Sequence, residues 1–196
     1  MIVKVPKAIG ALFLDADGVL WNDIGPGGIL TGKSSAVNNL KILESIMFDK
    51  TFIISNQTYA ARNKMGYLKF RLFLNNFFRD LIKLELIDDY AICYHHPNAT
   101  KKLLKRKCSC RKPAPGLINN LLSKYNIDPQ SSYLIGDRIT DIQSGSAAGI
   151  KLRCLLVNQR MLEINENSDG WPQQVCFIPI NNLNEIASVV EAIDEN

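Results

Sequence analysis

This chain of 196 residues has no apolar run near the roughly 20 residues needed to cross a bilayer, so a helical membrane protein is not expected. Its opening stretch, MIVKVPKAIGALFLD, has no small-residue cleavage site and reads as a strand, not a signal peptide. A cytoplasmic protein is expected on that basis. Repeats and low-complexity tracts are absent, and no insertion is long enough to carry a second core, so residues 1–196 are expected to form a single domain. No charge of one sign dominates: 23 Lys and Arg stand against 19 Asp and Glu, a net +4 that suits an anionic substrate without demanding nucleic acid. Only five cysteines occur, and nothing suggests secretion, so a disulfide framework is not expected. What is present is ordinary for a globular core: 46% apolar and 21% charged residues.

The most informative stretch is LFLDADGVLW, Leu12 to Trp21. Ala11 to Leu14 read as a short buried strand with Asp15 at its carboxyl end, Asp17 two residues on and Gly18 permitting a sharp turn. Side chains at i and i+2 share one side of an extended chain, so the two carboxylates can converge on one cation or reacting group. Taken alone, Asp and Gly here are also ordinary turn residues.

Further along, a Gly-rich loop, 22–32, precedes a helix with Val37, Leu40, Leu43 and Met47 on one face. TFIIS, Thr51 to Ser55, reads as a second strand, and Arg62 to Leu84 has helical length but is interrupted by Asn75 and Asn76, which suggests two helices. A third strand starts at Asp89 and runs into an irregular basic segment, 97–112. Pro115 can open a helix that buries Ile118, Leu121, Leu122 and Tyr125. Ser132 to Asp137 and Lys151 to Val157 read as strands around a short helix, Asp141 to Ala148, closed by Gly149. A polar loop (158–174), a short segment (175–180) and an amphipathic helix (183–193) follow. Alternating strands and helices predict an α/β fold: a Rossmann-like three-layer α/β/α sandwich around a central parallel sheet.

Three strands end in polar groups, Asp15 with Asp17, Ser55, and Asp137, and Lys112 lies just ahead of a helix. This set suits phosphoryl transfer, which needs a nucleophile, a charge clamp and a hard cation. A carboxylate can be the nucleophile, Mg²⁺ offsets the repulsion between two anions, and Ser55 and Lys112 can bind phosphate oxygens. Separately, Cys93-x-His95 and Cys108-x-Cys110 are two ligand pairs with twelve residues between them. Thiolate and imidazole in a four-ligand set suit tetrahedral Zn²⁺, although a buried strand cysteine and free loop thiols would give the same pattern.

DADGV, ISNQ, the lysine of CRKP and GDRITD resemble, in order, the four motifs of the haloacid dehalogenase (HAD) superfamily of phosphatases. CYHHP followed by CSCRKP resembles the zinc loop of its heptose-1,7-bisphosphate and histidinol-phosphate phosphatases. The resemblance implies an essentially capless core with a zinc loop at about 93–110. It implies Asp15 as nucleophile, Asp17 as general acid and base, and Ser55 and Lys112 as phosphate clamp. Asp15, the backbone carbonyl of Asp17 and Asp137 are implied as Mg²⁺ ligands, with Asp141 in or just behind that site. Cys93, His95, Cys108 and Cys110 are implied as zinc ligands, and Asn56, Arg111 and Arg138 as substrate contacts. The implied substrate is a small phosphorylated metabolite, above all a sugar bisphosphate. No membrane or obligatory protein partner is implied.

Departures from the pattern weaken the substrate expectation: Ala16, Tyr59 and Trp21 would reshape the pocket mouth, and Arg138 replaces a frequent lysine. Histidinol phosphate is one alternative. A polynucleotide 3′-phosphate is another, served by the basic run Lys101, Lys102, Lys105, Arg106 and Lys107, although that run has no interleaved aromatics for stacking. A non-enzymatic alternative is a zinc-stabilised binding module with a vestigial acidic site.

Overall fold

The computed structural model describes residues 9–21, 33–44, 46, 48–59, 66–156 and 177–194. The expected Gly-rich loop 22–32, Met47, the stretch 60–65 and the polar loop 158–174 lie outside them. Six strands form one sheet in the order β3-β2-β1-β4-β5-β6. They are β1 (Ala11–Leu14), β2 (Lys50–Asn56), β3 (Asp89–Cys93), β4 (Tyr133–Gly136), β5 (Leu152–Leu156) and β6 (Ile178–Ile180), and every pairing is parallel. The described helices are α1 (Lys33–Leu43), α2 (Tyr67–Lys83), α3 (Gly116–Tyr125), α4 (Ile139–Ala147) and α5 (Glu185–Asp194). None is long and apolar enough to cross a membrane.

The period-2 alternation of β1 builds both cores. Leu12 and Leu14 pack with Leu40 of α1, Phe70, Leu74, Phe77, Phe78 and Leu81 of α2, and Ile186 of α5. Ala11 and Phe13 point the other way, onto Leu117, Ile118 and Leu121 of α3 and Ile142 of α4. The sheet is therefore covered on both faces, as the near-continuous apolar strands require. A fully buried side chain such as Phe13, Phe52 or Phe78 contributes on the order of 2 kcal/mol.

Some expected boundaries move. α2 runs unbroken through Asn75 and Asn76, because Phe70, Leu74, Phe77, Phe78 and Leu81 bury one face and the asparagines lie off it. Burial of that face outweighs a propensity cost of only about 0.5 kcal/mol per asparagine. α4 starts two residues before Asp141, which becomes its third residue. β3 stops at Cys93, so Tyr94 and His95 leave the ladder and turn into the loop. The segment before α5 supplies a sixth strand, β6.

Candidate active site

Strand order reverses between β1 and β4, and in open α/β sheets ligands bind at the carboxyl ends of the strands on either side of such a point. Asp15 follows β1 and Asp137 follows β4, and the Asp15 N–H donates to Ile135 O at 2.9 Å, so the two strand ends are locked in register. The chain then turns sharply. Gly18 has φ +90°, and a methyl group on it would lie 2.0 Å from Asp137 Oδ2. Only glycine allows that backbone conformation and that approach.

Lys112 lies at the centre of the site, 4% exposed. Its Nζ is 2.5 Å from Asp15 Oδ1 and 2.6 Å from Asp141 Oδ1, and it donates to Ile54 O at 3.1 Å. Asp15, Asp137 and Asp141 are all buried, and one carboxylate oxygen from each lies within 4.8 Å of the others. Three carboxyl groups converge on the Lys112 ammonium, an oxygen donor set of the kind that suits a hard divalent cation. Burial, reinforced by the charges of Asp141, Asp137 and Asp17, holds the Asp15 carboxyl well above the usual carboxylate range despite Lys112. Burial alone would pull Lys112 down, but Asp141 and Asp15 override it and hold the ammonium above the usual lysine range. Asp141 Oδ2 accepts the Arg138 N–H at 3.0 Å, so this acid is fixed by its own helix start.

Asp17 does not join that cluster. Its carboxylate accepts the indole N–H of Trp21 on Oδ1 at 2.8 Å and the Gln57 amide on Oδ2 at 2.6 Å. Gln57 Nε2 also lies 3.0 Å from Ser55 Oγ, so it links the expected acid to the expected phosphate-binding hydroxyl. Asn56, expected at the substrate, uses its amide on the Lys112 backbone, donating to Lys112 O and accepting from Lys112 N–H. Arg111 is half-buried, with Nη1 3.4 Å from His95 O. The half-exposed Arg138 side chain reaches to 3.8 Å from Asp137 Oδ1. Ala16 and Trp21 face inward, not toward a pocket mouth. Both belong to the core, with Trp21 set edge-on to Phe77 of α2 at 5.4 Å. Tyr59 packs on Phe70. The contact of Trp21 with Asp17 carries no sequence signal, because nothing in a loop's composition shows which way an indole turns. Gln57 had a weaker one: its place two residues after Ser55 puts it on the same side of an extended chain.

The four residues Cys93, His95, Cys108 and Cys110 come together on the same side. Cys93 ends β3, where its carbonyl accepts the Gln57 N–H, and the three cysteines are free thiols. The distances measured among the Sγ atoms and His95 Nδ1 run from 3.2 to 3.7 Å. A tetrahedral zinc would require edges of about 3.7 Å between sulfurs and about 3.5 Å from sulfur to nitrogen. Burial pushes the Cys93 thiol up, whereas the Cys108 thiol sits below its ordinary value because Cys110 and the Arg111 N–H outweigh burial and favour its thiolate. The chemistry and the size of the set therefore fit such an ion.

A family model described as HAD-hydrolase-like matches residues 109–169. A curated D-glycero-α-D-manno-heptose-1,7-bisphosphate 7-phosphatase from Photorhabdus laumondii is 34% identical over 154 residues, covering 76% of this chain and 82% of the relative. The D-glycero-β-D-manno-heptose-1,7-bisphosphate 7-phosphatase of Escherichia coli K12 is 26% identical, covering 95% of both chains. Among solved structures, the D,D-heptose 1,7-bisphosphate phosphatase from B. bronchiseptica, complexed with magnesium and phosphate, superposes with a TM-score of 0.67 at 19% identity. It covers 96% of this chain and 100% of its own. These likenesses displace the reading as a non-enzymatic binding module: the chain belongs to the haloacid dehalogenase superfamily of phosphatases and is itself a phosphatase, with heptose-bisphosphate phosphatases among its relatives.

Proposed function

We propose that the chain is a Mg²⁺-dependent phosphomonoesterase that works through an aspartyl-phosphate on Asp15, with D-glycero-D-manno-heptose 1,7-bisphosphate as its favoured substrate. The observation that carries the chemistry is the buried cluster of Asp15, Asp137 and Asp141 around Lys112 at the strand crossover. Asp15, Asp137 and the Asp17 carbonyl, with Asp141 beside them, would hold Mg²⁺, which would supply the positive charge that lets an anionic nucleophile approach an anionic phosphoryl group.

A carboxylate oxygen of Asp15 attacks phosphorus, forming a carboxyl O–P bond as the ester P–O bond breaks. Lys112 and the Ser55 hydroxyl draw charge onto the non-bridging oxygens. Asp17 gives its proton to the departing sugar oxygen, then takes one from the water that hydrolyses the acyl phosphate. The net reaction is an alcohol plus inorganic phosphate, and both aspartates return to their starting state. Cys93, His95, Cys108 and Cys110 would hold Zn²⁺ as a closed structural site, which would stiffen the loop that carries Lys112. Arg111 and Arg138 offer guanidinium groups for a second phosphate of the substrate. The whole chain acts as one domain.

The curated relatives named above support the substrate reading. Lys102, Lys105, Arg106 and Lys107 are exposed, which keeps a 3′-phosphorylated nucleic acid as the second reading. The test is phosphate release with Mg²⁺ from heptose and hexose bisphosphates, histidinol phosphate and a 3′-phosphorylated oligonucleotide, comparing the native chain with Asp15→Asn. Fastest release from the heptose bisphosphate, abolished in the variant, is expected. Preference for the oligonucleotide or histidinol phosphate sinks the sugar reading, and activity retained in Asp15→Asn sinks the nucleophile.

A further inference from the structure

Each of the two carboxylate oxygens of Asp17 receives its own N–H donor. Oδ1 receives the Trp21 indole N–H at 2.8 Å, and Oδ2 receives the Gln57 amide at 2.6 Å. An indole nitrogen can only donate. Trp21 is 2% exposed, its ring stands at 87° to Phe77 at 5.4 Å and leans on Phe78, and its carbonyl accepts the Gly18 N–H at 2.7 Å. The indole therefore has no freedom to turn its N–H away while the core stays packed.

We propose that Trp21 and Gln57 are positioning residues that set Asp17 for proton transfer: Trp21 holds Oδ1 and Gln57 holds Oδ2, so the plane of the carboxyl group is fixed with Oδ2 beside the Ser55 hydroxyl. This rests on the reading of Asp17 as the general acid. Gln57 is 3% exposed, and its Nε2 lies 3.0 Å from Ser55 Oγ. It thereby ties Oδ2 of Asp17 to the hydroxyl that the proposed mechanism sets on the phosphoryl oxygens. Both contacts are donated to Asp17, and a donated bond strengthens as its acceptor becomes anionic. They are strongest after the proton has left, which favours its delivery to a leaving oxygen in the transition state.

A role through the acid has a signature that loss of packing does not. A leaving group that departs readily as an anion needs no proton, whereas an alkoxide does. The readout is the ratio of kcat/KM for the fastest alkyl phosphate of the panel above to kcat/KM for 2,4-dinitrophenyl phosphate. Both rates are measured on one preparation, so any inactive fraction cancels. Asp17→Asn is expected to lower this ratio by about 100-fold or more. Trp21→Phe keeps a six-membered aromatic ring and removes the N–H donor together with the pyrrole ring, and Gln57→Met keeps the length. Each is expected to lower the ratio by about 10-fold, with no further loss when Trp21→Phe is added to Asp17→Asn. If Asp17→Asn collapses the ratio while Trp21→Phe and Gln57→Met leave it within about twofold of the native value, the positioning role is wrong. If Asp17→Asn itself leaves the ratio unchanged, Asp17 is not the acid, and both the role and the reading beneath it fall. Should Trp21→Phe fail to fold, Gln57→Met decides alone.

Discussion

Asn56 and Lys112, 56 residues apart in the chain, hold each other by a closed pair of hydrogen bonds: Asn56 Nδ2 to Lys112 O at 3.0 Å and Lys112 N–H to Asn56 Oδ1 at 3.1 Å. The end of β2 thus fixes the peptide from which the buried ammonium rises. Asn56→Asp keeps the acceptor and loses the donor, whereas Asn56→Leu loses both. The expected order of kcat is native, then Asp, then Leu, with the Leu variant losing about 2 kcal/mol of stability for its two unmade bonds. Steady-state kinetics and urea titration check this. Equal kcat in all three would show that Lys112 is held without Asn56.

Asp15 gives a sign to the pH dependence of the metal-free protein. Its folded-state carboxyl, raised first by burial and then by Asp141, ionises later than the 3.8 of an unfolded chain. Between those two pH values the folded state keeps a proton that the unfolded state has lost. This group's contribution to stability therefore falls as pH rises through the window. Asp15→Asn removes the charge while keeping the shape. In EDTA, its melting temperature relative to native is expected to climb from about pH 4 upward and to stay higher above the window. Added Mg²⁺ is expected to stabilise the native chain most where Asp15 is ionised. A native-minus-variant difference that is flat with pH would remove Asp15 as the strained group.

The parts of this site that could be read from the sequence are those that strand ends announce. Short apolar runs closed by Asp15, Ser55 and Asp137 mark both the strands and their carboxyl ends, and the sheet brings those ends together. Periodicity does not say which strands are neighbours, so the meeting of Asp15 with Lys112 across 97 residues was not visible in it. Nor does it say where a side chain turns. Ala16 and Trp21 sit in a loop yet pack into the core, because α2 presents Phe77 and Phe78 beneath them. Asn75 and Asn76 misled in the opposite sense: local preference argued for a break, and the buried face of α2 overruled it.

Gly18 is a point at which one methyl group should disable the acidic site. At φ +90°, Gly18→Ala is strained whatever the space, and its Cβ would meet Asp137 at 2.0 Å from Oδ2 and 2.4 Å from Cγ. The overlap runs from the carboxylate tip back to Asp137 Cβ at 3.0 Å, so the turn or the acid must shift. Loss of more than about 1 kcal/mol of stability is expected. Loss of the Mg²⁺-dependent rise in melting temperature is expected with it. An alanine variant that keeps its full response to Mg²⁺ would show that Asp137 does not depend on this turn.

The zinc reading makes the most separable prediction, because the two candidate metal sites differ in ligand chemistry. The Cys93, His95, Cys108 and Cys110 set is soft, and the acid cluster is hard, so a zinc-selective chelator in excess Mg²⁺ strips one and spares the other. The consequence for catalysis runs through the backbone. Cys110 precedes Lys112 by two residues, and Gly116 N–H donates to Ser109 O at 2.9 Å, where a methyl group on Gly116 would lie 2.4 Å from that oxygen. Cys93 O accepts the Gln57 N–H at 2.9 Å, so an ion held by Cys93 would brace the end of β2 as well. The purified protein is expected to carry about one equivalent of zinc, and its removal is expected to cost about 10-fold in kcat/KM, not restored by Mg²⁺. Cys108→Ser should do the same and expose the segment 101–107 to trypsin. Full activity and unchanged proteolysis with less than about a tenth of an equivalent of zinc would mean that the loop is rigid without metal. The four ligands would then be a packing cluster that Lys112 does not need.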